Sequence, residues 1–174
     1  MNDAVRNLME RRSIRAYTDR QVSDELLDIV LSAGIHAPSG MNTQGVRLVA
    51  VRDRQTRDLL SKLNAAVMGT DRDPFYGAPC VVVVLADPEI YGGWVEDGAL
   101  ALGNMMNAAH ALGLGSCWIH RARQVFDSPE GKELLQKWGL PGHLRGVGNC
   151  ILGFPACDHP DPAPRKDGRI LFIG

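Results

Sequence analysis

An arginine cluster near the start of the chain is the first group of side chains that could bind a ligand. The stretch ERRSIRAY places Arg11, Arg12 and Arg15 around the hydroxyl group of Ser13, where a predicted helix ends. Guanidinium groups form paired, charge-assisted hydrogen bonds with phosphate oxygens, so the cluster could hold a phosphate. The same residues could instead be a solvated basic helix end that complements the helix dipole, and the residues alone leave both interpretations open.

A second candidate site is the stretch HAPSGMNTQG, residues 36–45. It contains more small and amide residues than a turn needs, and such residues can contact a planar polar ligand. The residues that we select from it are Pro38, Ser39, Gly40, Met41 and Asn42. Ser39 has no evident base partner, so a serine hydrolase is not predicted.

Two further stretches carry possible binding groups. In GLGSCWIH, Gly113 and Gly115 follow a predicted helix and precede a strand, which is the reverse of the order that a dinucleotide fingerprint requires. In PRKDG, the pair Arg165 and Lys166 follows a proline-rich crossing. Such a pair usually faces solvent, but a tail that folds back would add it to the first arginine cluster.

The elements that must position these groups follow from the apolar pattern, which predicts five helices and four strands. The predicted helices cover residues 3–11, 24–34, 53–68 and 95–112, with a further one starting near Ser128; the predicted strands cover 46–51, 80–86, part of GLGSCWI and part of GVGNCILGF. Helices and strands do not alternate strictly, so we predict a mixed α+β fold rather than a doubly wound one.

The helix over residues 95–112 is apolar nearly all round, which is typical of a helix buried in a core or at a subunit interface. Because a short chain has little core to surround it, we interpret it as a central helix shared with a second subunit; a core helix of a monomer is the alternative. The final apolar run RILFI should pair with a sheet, either its own or a partner's.

Composition excludes several classes of protein. The 174 residues suit a single domain over 1–174, and the net charge of -1 gives no basic footprint for nucleic acid or for a membrane surface. The longest apolar run, CVVVVLA, is too short to span a bilayer, and no secretory signal is visible, so we expect a cytoplasmic protein.

The four cysteines, Cys80, Cys117, Cys150 and Cys157, are expected to be reduced and to pack as small buried apolar side chains. Cys117 and His120 are three apart on a strand and should project to opposite faces, so no metal site is predicted.

Taken in order, these motifs resemble the nitroreductase family of flavin enzymes. Arg-Arg-Ser-x-Arg, then Ala-Pro-Ser-Gly-x-Asn-x-Gln, FYGAP, the EDGALALGNMMNAAHALGLGSCWI segment and the LGFPA…PRK ending together span essentially the whole chain. The resemblance implies an α+β sandwich with an antiparallel or mixed sheet flanked by helices. It also implies an intertwined homodimer that exchanges its C-terminal segments and binds FMN at the subunit interface.

The resemblance also assigns residues to the flavin. Arg11, with Arg12 or Ser13, would meet the ribityl phosphate, and Arg15 would face the pyrimidine edge of the ring. Pro38, Ser39, Gly40, Met41 and Asn42 would come from the other subunit. Trp118, Ile119 and His120 would line the ring near N5, while Arg165, or Lys166 in its place, would close the phosphate site.

Two stretches depart from the family pattern. Gly45 and Val46 replace the common Pro-Trp, which predicts a looser exit from the loop. Asp71 and Asp73 stand where the family tends to offer an asparagine to the flavin, and the sequence does not distinguish between them.

The implied activity is an FMN-dependent oxidoreductase. NADH or NADPH would reduce flavin N5 in a ping-pong mechanism, and a nitroaromatic, a quinone or a similar conjugated acceptor would then be reduced, with no catalytic side chain. The alternatives are a member that acts on flavin itself or on a halogenated substrate, a flavin-binding sensor or carrier without turnover, and a structural dimer.

Overall fold

The protein is an α+β sandwich in which one antiparallel sheet lies between two layers of helices. The computed structural model describes residues 1–174. In chain order the elements are α1 (Asp3–Glu10), α2 (Asp24–Ile35), β1 (Val46–Val51), α3 (Arg54–Met68), β2 (Cys80–Ala86), α4 (Trp94–Ala111), β3 (Gly115–Ile119), α5 (Ala122–Asp127), α6 (Pro129–Lys137) and β4 (Arg145–Gly153). The fold class predicted from the sequence is therefore confirmed.

Short polar side chains fix where the helices begin. The side chain of Ser23 accepts a hydrogen bond from the Leu26 N–H at the start of α2, and that of Ser128 accepts one from the Gly131 N–H at the start of α6. These N-caps satisfy amide groups that have no partner inside the helix. Both starts agree with the sequence prediction, whereas the short helix α5 was not predicted.

The sheet has the strand order β1-β2-β4-β3, and all three pairings are antiparallel. Every residue of β2 is buried, as the uninterrupted run CVVVVLA predicted for a strand covered on both faces. The last strand in the sequence, β4, lies inside the sheet between β2 and β3.

Alternate residues of β2 belong to two separate cores. Val81, Val83 and Leu85 pack in the cluster that includes side chains of α3, α5 and α6. Val82 and Val84 pack on the other face, with residues of α2 and α4. The period of two along a strand is what divides one apolar run between these two helical layers.

Helices α2 and α4 approach closely at Gly34. A Cβ atom there would lie 2.7 Å from Cγ of Met105 and 2.9 Å from Cδ1 of Leu48, so a larger residue would require these two side chains to move. Beside this contact, the Asn104 amide donates to the Ala33 carbonyl at 3.1 Å. The stretch from residue 36 therefore leaves α2 at a fixed position.

Several apolar surfaces are uncovered in the single chain. Helix α1 has no buried residue, and α4 buries one face but exposes Val95 and Leu100, so its apolar surface is only half covered. The residues from 157 to the end are exposed, including the RILFI run, which pairs with no strand of its own chain. The prediction of four buried cysteines is wrong for Cys157, because it lies in this exposed tail.

None of the helices combines the length and the apolar character that crossing a bilayer would require.

Candidate functional site

The arginine cluster lies in an extended segment that is docked on the edge of the sheet. The Ile14 N–H donates to the Ser116 carbonyl at 3.0 Å, and Ser13 forms an isolated parallel β-bridge with Ser116 in β3. Ile14 itself is buried. Because side chains alternate along extended backbone, Ser13 and Arg15 project away from the core that Ile14 enters.

Arg11 and Arg12 differ in what they bind. Nη1 of Arg12 donates to the carbonyls of Met9 and Arg11, each at 2.8 Å, so this guanidinium caps the end of α1. Nη1 of Arg11 is buried and has no hydrogen-bond partner, and the same holds for the inner Nε of Arg12. A buried donor without a partner is costly, and an anion bound beside it would remove that cost. Arg11 has a free nitrogen at the tip of its side chain, whereas Nη1 of Arg12 is already bonded to carbonyls, so Arg11 is the better placed of the two to bind a phosphate.

Four of the predicted site residues line one cavity of 450 Å³ at the end of β3: Arg15, Trp118, Ile119 and His120. The Arg15 guanidinium carbon lies 5.9 Å from the centre of the Tyr76 ring, which is also part of the lining. The Trp118 ring also reaches the core on the α4 side of the sheet, over Gly148.

Two buried asparagines hold the end of β3. The Asn64 amide, from α3, donates to the His120 carbonyl at 2.8 Å, and the Asn149 amide, from β4, donates to the Ile119 carbonyl at 3.5 Å. Neither asparagine was predicted from the sequence to belong to the site. A signal was available, since each interrupts an apolar pattern at a position that faces the core, and buried amides are normally hydrogen-bonded.

The loop after α2 is fixed by a hydrogen bond to a side chain of α4 and by a hydrogen bond within the loop. The Gly40 N–H donates to Oδ1 of the buried Asp97 at 2.9 Å, and Ser39 Oγ accepts from the Gln44 N–H at 3.0 Å. Met41, Asn42 and Gln44 all have positive φ angles. Residues other than glycine in this conformation are strained and cluster at functional sites.

The loop and the arginine segment line different cavities of the same chain. Pro38 and Ser39 line one of 260 Å³ together with Asp97, whereas Arg15 and residues 118–120 line the cavity of 450 Å³. A single chain therefore does not bring the two predicted halves of the flavin site into one pocket.

Asp73, one of the two aspartates left open by the sequence, is part of the protein framework. Its carboxylate accepts hydrogen bonds from Arg57, from the Ser61 hydroxyl group and from the amides of Phe75 and Gly77. Burial alone would raise the pKa of Asp73, but these donors outweigh it and hold the pKa below its ordinary value. Asp71 is exposed and makes no such bonds, so it is the aspartate that remains available to a ligand.

Arg165 and Lys166 lie in the exposed tail and make no hydrogen bond or ion pair. The start of the tail, residues 159–162, lines a cavity together with Arg12, and the His159 ring lies 5.2 Å from that of His110 in α4. The predicted closing of the phosphate site by Arg165 therefore does not occur within this chain.

One group of side chains could hold a metal ion by its composition. The ligand atoms of Asp87, Glu89 and His143 lie within 4.8 Å of one another. However, Asp87 Oδ2 is 3.0 Å from Nε2 of His143, and Oδ1 accepts from the Glu89 N–H at 2.9 Å. We interpret the group as an ion pair that fixes the connection between β2 and α4.

The family model described as "Nitroreductase family" matches residues 8–154, which include the arginine segment, the loop and all four strands. The chain belongs to the nitroreductase family. The family prediction made from the order of the motifs is thereby confirmed.

Relatives of this nitroreductase-family chain are found in archaea and bacteria. It is 35% identical over 160 residues to an Archaeoglobus fulgidus protein, provisionally named NADH dehydrogenase/NAD(P)H nitroreductase, and the match covers 89% of this chain and 87% of that protein. It is 31% identical to the FMN reductase [NAD(P)H] of Bacillus subtilis, over 95% of this chain and 70% of that protein. A crystal structure of a Bacteroides fragilis nitroreductase with bound FMN superimposes with a TM-score of 0.91 at 29% identity, covering 100% of both chains.

In this nitroreductase-family chain, hydrogen bonds hold the exit of the loop. Where the sequence predicted looseness at Gly45 and Val46, Nη1 of Arg47 donates to the carbonyls of Gln44 and Val46, each at 3.1 Å. The Gly45 carbonyl also accepts from the Asp87 N–H at 3.1 Å. Nη1 of Arg47 therefore holds the backbone on both sides of Gly45.

Proposed function

We propose that the protein is an FMN-dependent oxidoreductase that uses NADH or NADPH to reduce a small conjugated acceptor such as a nitroaromatic or a quinone. The observation that carries this proposal is the buried, unbonded Nη1 atom of Arg11 in the segment that leads to the Arg15 cavity. This donor fits an anionic group at the end of a planar ligand. The FMN-bound Bacteroides fragilis nitroreductase, which shares the whole fold, supports FMN as that ligand.

The residues proposed to hold FMN fall into two groups. Arg11 and Ser13 would bind the ribityl phosphate, Arg15 would face the pyrimidine edge, and residues 118–120 would line the ring. Arg12 is proposed only as a supporting residue, because its guanidinium already caps α1. The second group is the loop from Pro38 to Asn42.

A homodimer would unite these two groups, because they line different cavities of one chain. The uncovered surfaces support this proposal: α1, with Leu8, lines a groove of 760 Å³ against α4, and the apolar end of the tail is exposed. Exchange of the tails would bring Arg165, or Lys166, of one subunit to the arginine segment of the other.

The chemistry that bound FMN supplies is two-electron transfer between a nicotinamide nucleotide and an acceptor, which would use the same open face in turn. The protein orients the ring and tunes its charge. Arg15 would stabilise negative charge on the reduced ring, because a fixed cation in a partly desolvated cavity interacts strongly with it. His120 and the other residues of the cavity need not act as acid or base.

The proposal is tested by the visible spectrum of the purified protein. A yellow protein that NADH or NADPH bleaches without oxygen, and that an added acceptor reoxidises, is the expected result. A colourless protein that takes up no FMN would overturn the proposal. A yellow protein that neither nucleotide bleaches would instead indicate a flavin-binding sensor or carrier.

A further inference from the structure

Three arginines line the cavity at the end of β3, and none of them has an acidic partner. Arg15, Arg72 and Arg121 all contribute to its wall, together with His120. The ion pairs of the protein involve other arginines: Arg52, Arg54, Arg57, Arg123 and Arg145. The cavity therefore carries uncompensated positive charge.

The carboxylate in the cavity wall cannot neutralise these arginines. Asp73 lies in the lining, but its two oxygens are bonded to Arg57, to Ser61 and to two backbone amides. Its charge is balanced by Arg57, which is buried outside the cavity. The positive charges of Arg72 and Arg121 are thus not paired within the protein and can interact with a bound anion.

Arg121 is held in place by strained backbone. Its φ angle of 77° lies in the left-handed region, where glycine is relaxed and an arginine is strained. The neighbours on both sides are fixed, since the His120 carbonyl accepts from Asn64 and Ala122 is fully buried. The backbone from which the Arg121 side chain enters the cavity wall is therefore fixed on both sides.

Arg123, the next arginine along the chain, has partners of its own outside the cavity. Arg123 lies 5.7 Å from the centre of the Trp94 ring and within 3.9 Å of the Asp127 carboxylate. It does not line the cavity. Of the two arginines that follow β3, Arg121 is thus the one whose charge is available to a ligand.

We propose that this cavity selects a substrate that carries an anionic group, a carboxylate, sulfonate or phosphate, which Arg121 and Arg72 bind beside the flavin. The inference rests on the proposed function and adds a substrate class to it. Arg15 is assigned to the cofactor, so the two other arginines supply the selectivity. The anionic group could belong to the acceptor or to the 2′-phosphate of NADPH, and the two half-reactions separate these sources.

The test compares matched charged and neutral substrates on the holoprotein. In the oxidative half-reaction, 4-nitrobenzoate is compared with 4-nitrobenzamide; in the reductive half-reaction, NADPH is compared with NADH. We expect wild type to favour the anionic member of at least one pair. Arg121→Gln should reduce that preference about tenfold or more, as expected for one charge-assisted contact, while Arg123→Gln retains it.

A binding measurement that needs no turnover accompanies the kinetics. The oxidised holoprotein is titrated with 4-aminobenzoate or 4-aminobenzamide and followed by the change in the flavin spectrum. The preference for the carboxylate should shrink between about 0.01 M and about 1 M salt, since the screening length falls from about 30 Å to about 3 Å. Arg121→Gly, which relieves the strained φ angle, should be at least as stable as wild type and still lose the preference.

Three outcomes would overturn the inference: equal rates and affinities for charged and neutral members in every pair, a preference that survives Arg121→Gln combined with Arg72→Gln, or a loss of FMN affinity as the main effect of those substitutions. Failure of the proposed function is distinguishable, because the protein would then bind no FMN or would not be reduced by either nucleotide.

Discussion

Arg11 and Arg12 show how two neighbouring residues of one type can have different tasks. Nη1 of Arg12 donates to carbonyls at the end of α1, whereas Nη1 of Arg11 is buried with no partner. Each side chain has one buried nitrogen without a partner, but in Arg12 this is the inner Nε. From sequence, either could be the phosphate ligand. The distinction appears only in the folded chain, where Arg12 bonds the carbonyls of Met9 and Arg11 and the Arg11 side chain forms no such bond.

Replacement of Arg11 should therefore weaken FMN binding. A lost charge-assisted contact costs about 1.5–3 kcal/mol, so Arg11→Ala should raise the dissociation constant of FMN about ten- to hundredfold in a fluorescence titration of the apoprotein. Arg54→Ala removes an exposed arginine on another surface and serves as the control. Unchanged affinity in Arg11→Ala combined with Arg165→Ala would refute the phosphate assignment.

Asp73 is a framework residue, although its place in the sequence suggested a flavin contact. Asp73→Ala would leave Arg57 and two backbone amides short of an acceptor, so we expect the free energy of unfolding to fall by about 1–3 kcal/mol in urea denaturation. Asp71→Ala, two residues away and exposed, should change it by less than about 0.5 kcal/mol. Equal effects of the two substitutions would contradict the assignment.

At the scale of elements, the loop after α2 is positioned by the residues that lead into α4. The ring of Tyr91 occupies the space beside Gly40, where a Cβ atom would lie 2.0 Å from its Cε1 atom. Asp97, in the first turn of α4, holds the amide of the same glycine. The loop that is proposed to contact FMN is thus placed by another part of the same chain.

Gly40→Ala should displace either Tyr91 or the loop and thereby weaken FMN binding and lower the melting temperature. The double variant Gly40→Ala, Tyr91→Ala removes the obstructing ring and should restore a large part of the FMN affinity and of the melting temperature. Gly92→Ala is the matched control, because a Cβ atom at that position meets no atom within 4 Å. If the double variant were as impaired as the single one, contact with Tyr91 would not be the reason for the glycine.

The connection from β2 to α4 also carries a pH-sensitive contact. The hydrogen bond to Asp87 raises the pKa of His143. Burial would raise the pKa of Asp87, but the bond from His143 and the Glu89 amide hold it below its ordinary value. The pair should therefore stabilise the fold below the unfolded-state histidine pKa of about 6.5, and lose this contribution as the pH rises through the raised pKa of His143.

The contribution should also disappear in acid, as the pH falls through the lowered pKa of Asp87. We expect melting temperatures of wild type and His143→Gln to differ most between about pH 4.5 and pH 6 and to converge above about pH 8. His36→Gln, an exposed histidine without an acidic partner, is the control. A difference that is constant over this range would show that the ion pair is not its cause.

The sequence predicted elements better than it predicted the site. The spacing of apolar residues and the N-cap residues located α2, α3 and the buried strand β2. Both signals depend only on residues that are close together in the chain. The short helix α5 was missed because its few residues give too little periodicity. Asp97, Asn64 and Tyr91 were missed because their roles depend on contacts with residues distant in sequence. Nothing in the sequence indicated the positive φ angles of Tyr76 and Arg121, since neither residue type favours that conformation.

At the scale of the whole molecule, the uncovered apolar surfaces indicate where a second subunit would bind. Leu171 and Phe172 are 81% and 91% exposed, and no strand of their own chain pairs with them. Exposed large apolar side chains in a continuous run are unusual on a monomer. Burial of the tail against a partner would account for them.

The double variant Leu171→Ser, Phe172→Ser should therefore weaken the proposed dimer. We expect a lower mass at low protein concentration in light-scattering chromatography, and a parallel loss of FMN, because each site would need both subunits. Asp158→Ser, an exposed polar change in the same tail, is the control. Identical masses over the whole concentration range for wild type and the double variant would contradict this role of the tail.

The inner position of β4 has a consequence for the order of folding. Strands β2 and β3 are joined only through β4, which is the last strand to be synthesised. Until residues 145–153 are present, the two ends of the sheet have no common neighbour, and the edge of β2 that β4 will cover is open to other chains. Closure of the sheet is thus a late event that depends on contacts between residues far apart in sequence, and pairings of this kind form slowly. Growing chains would be most prone to aggregate just before this strand arrives.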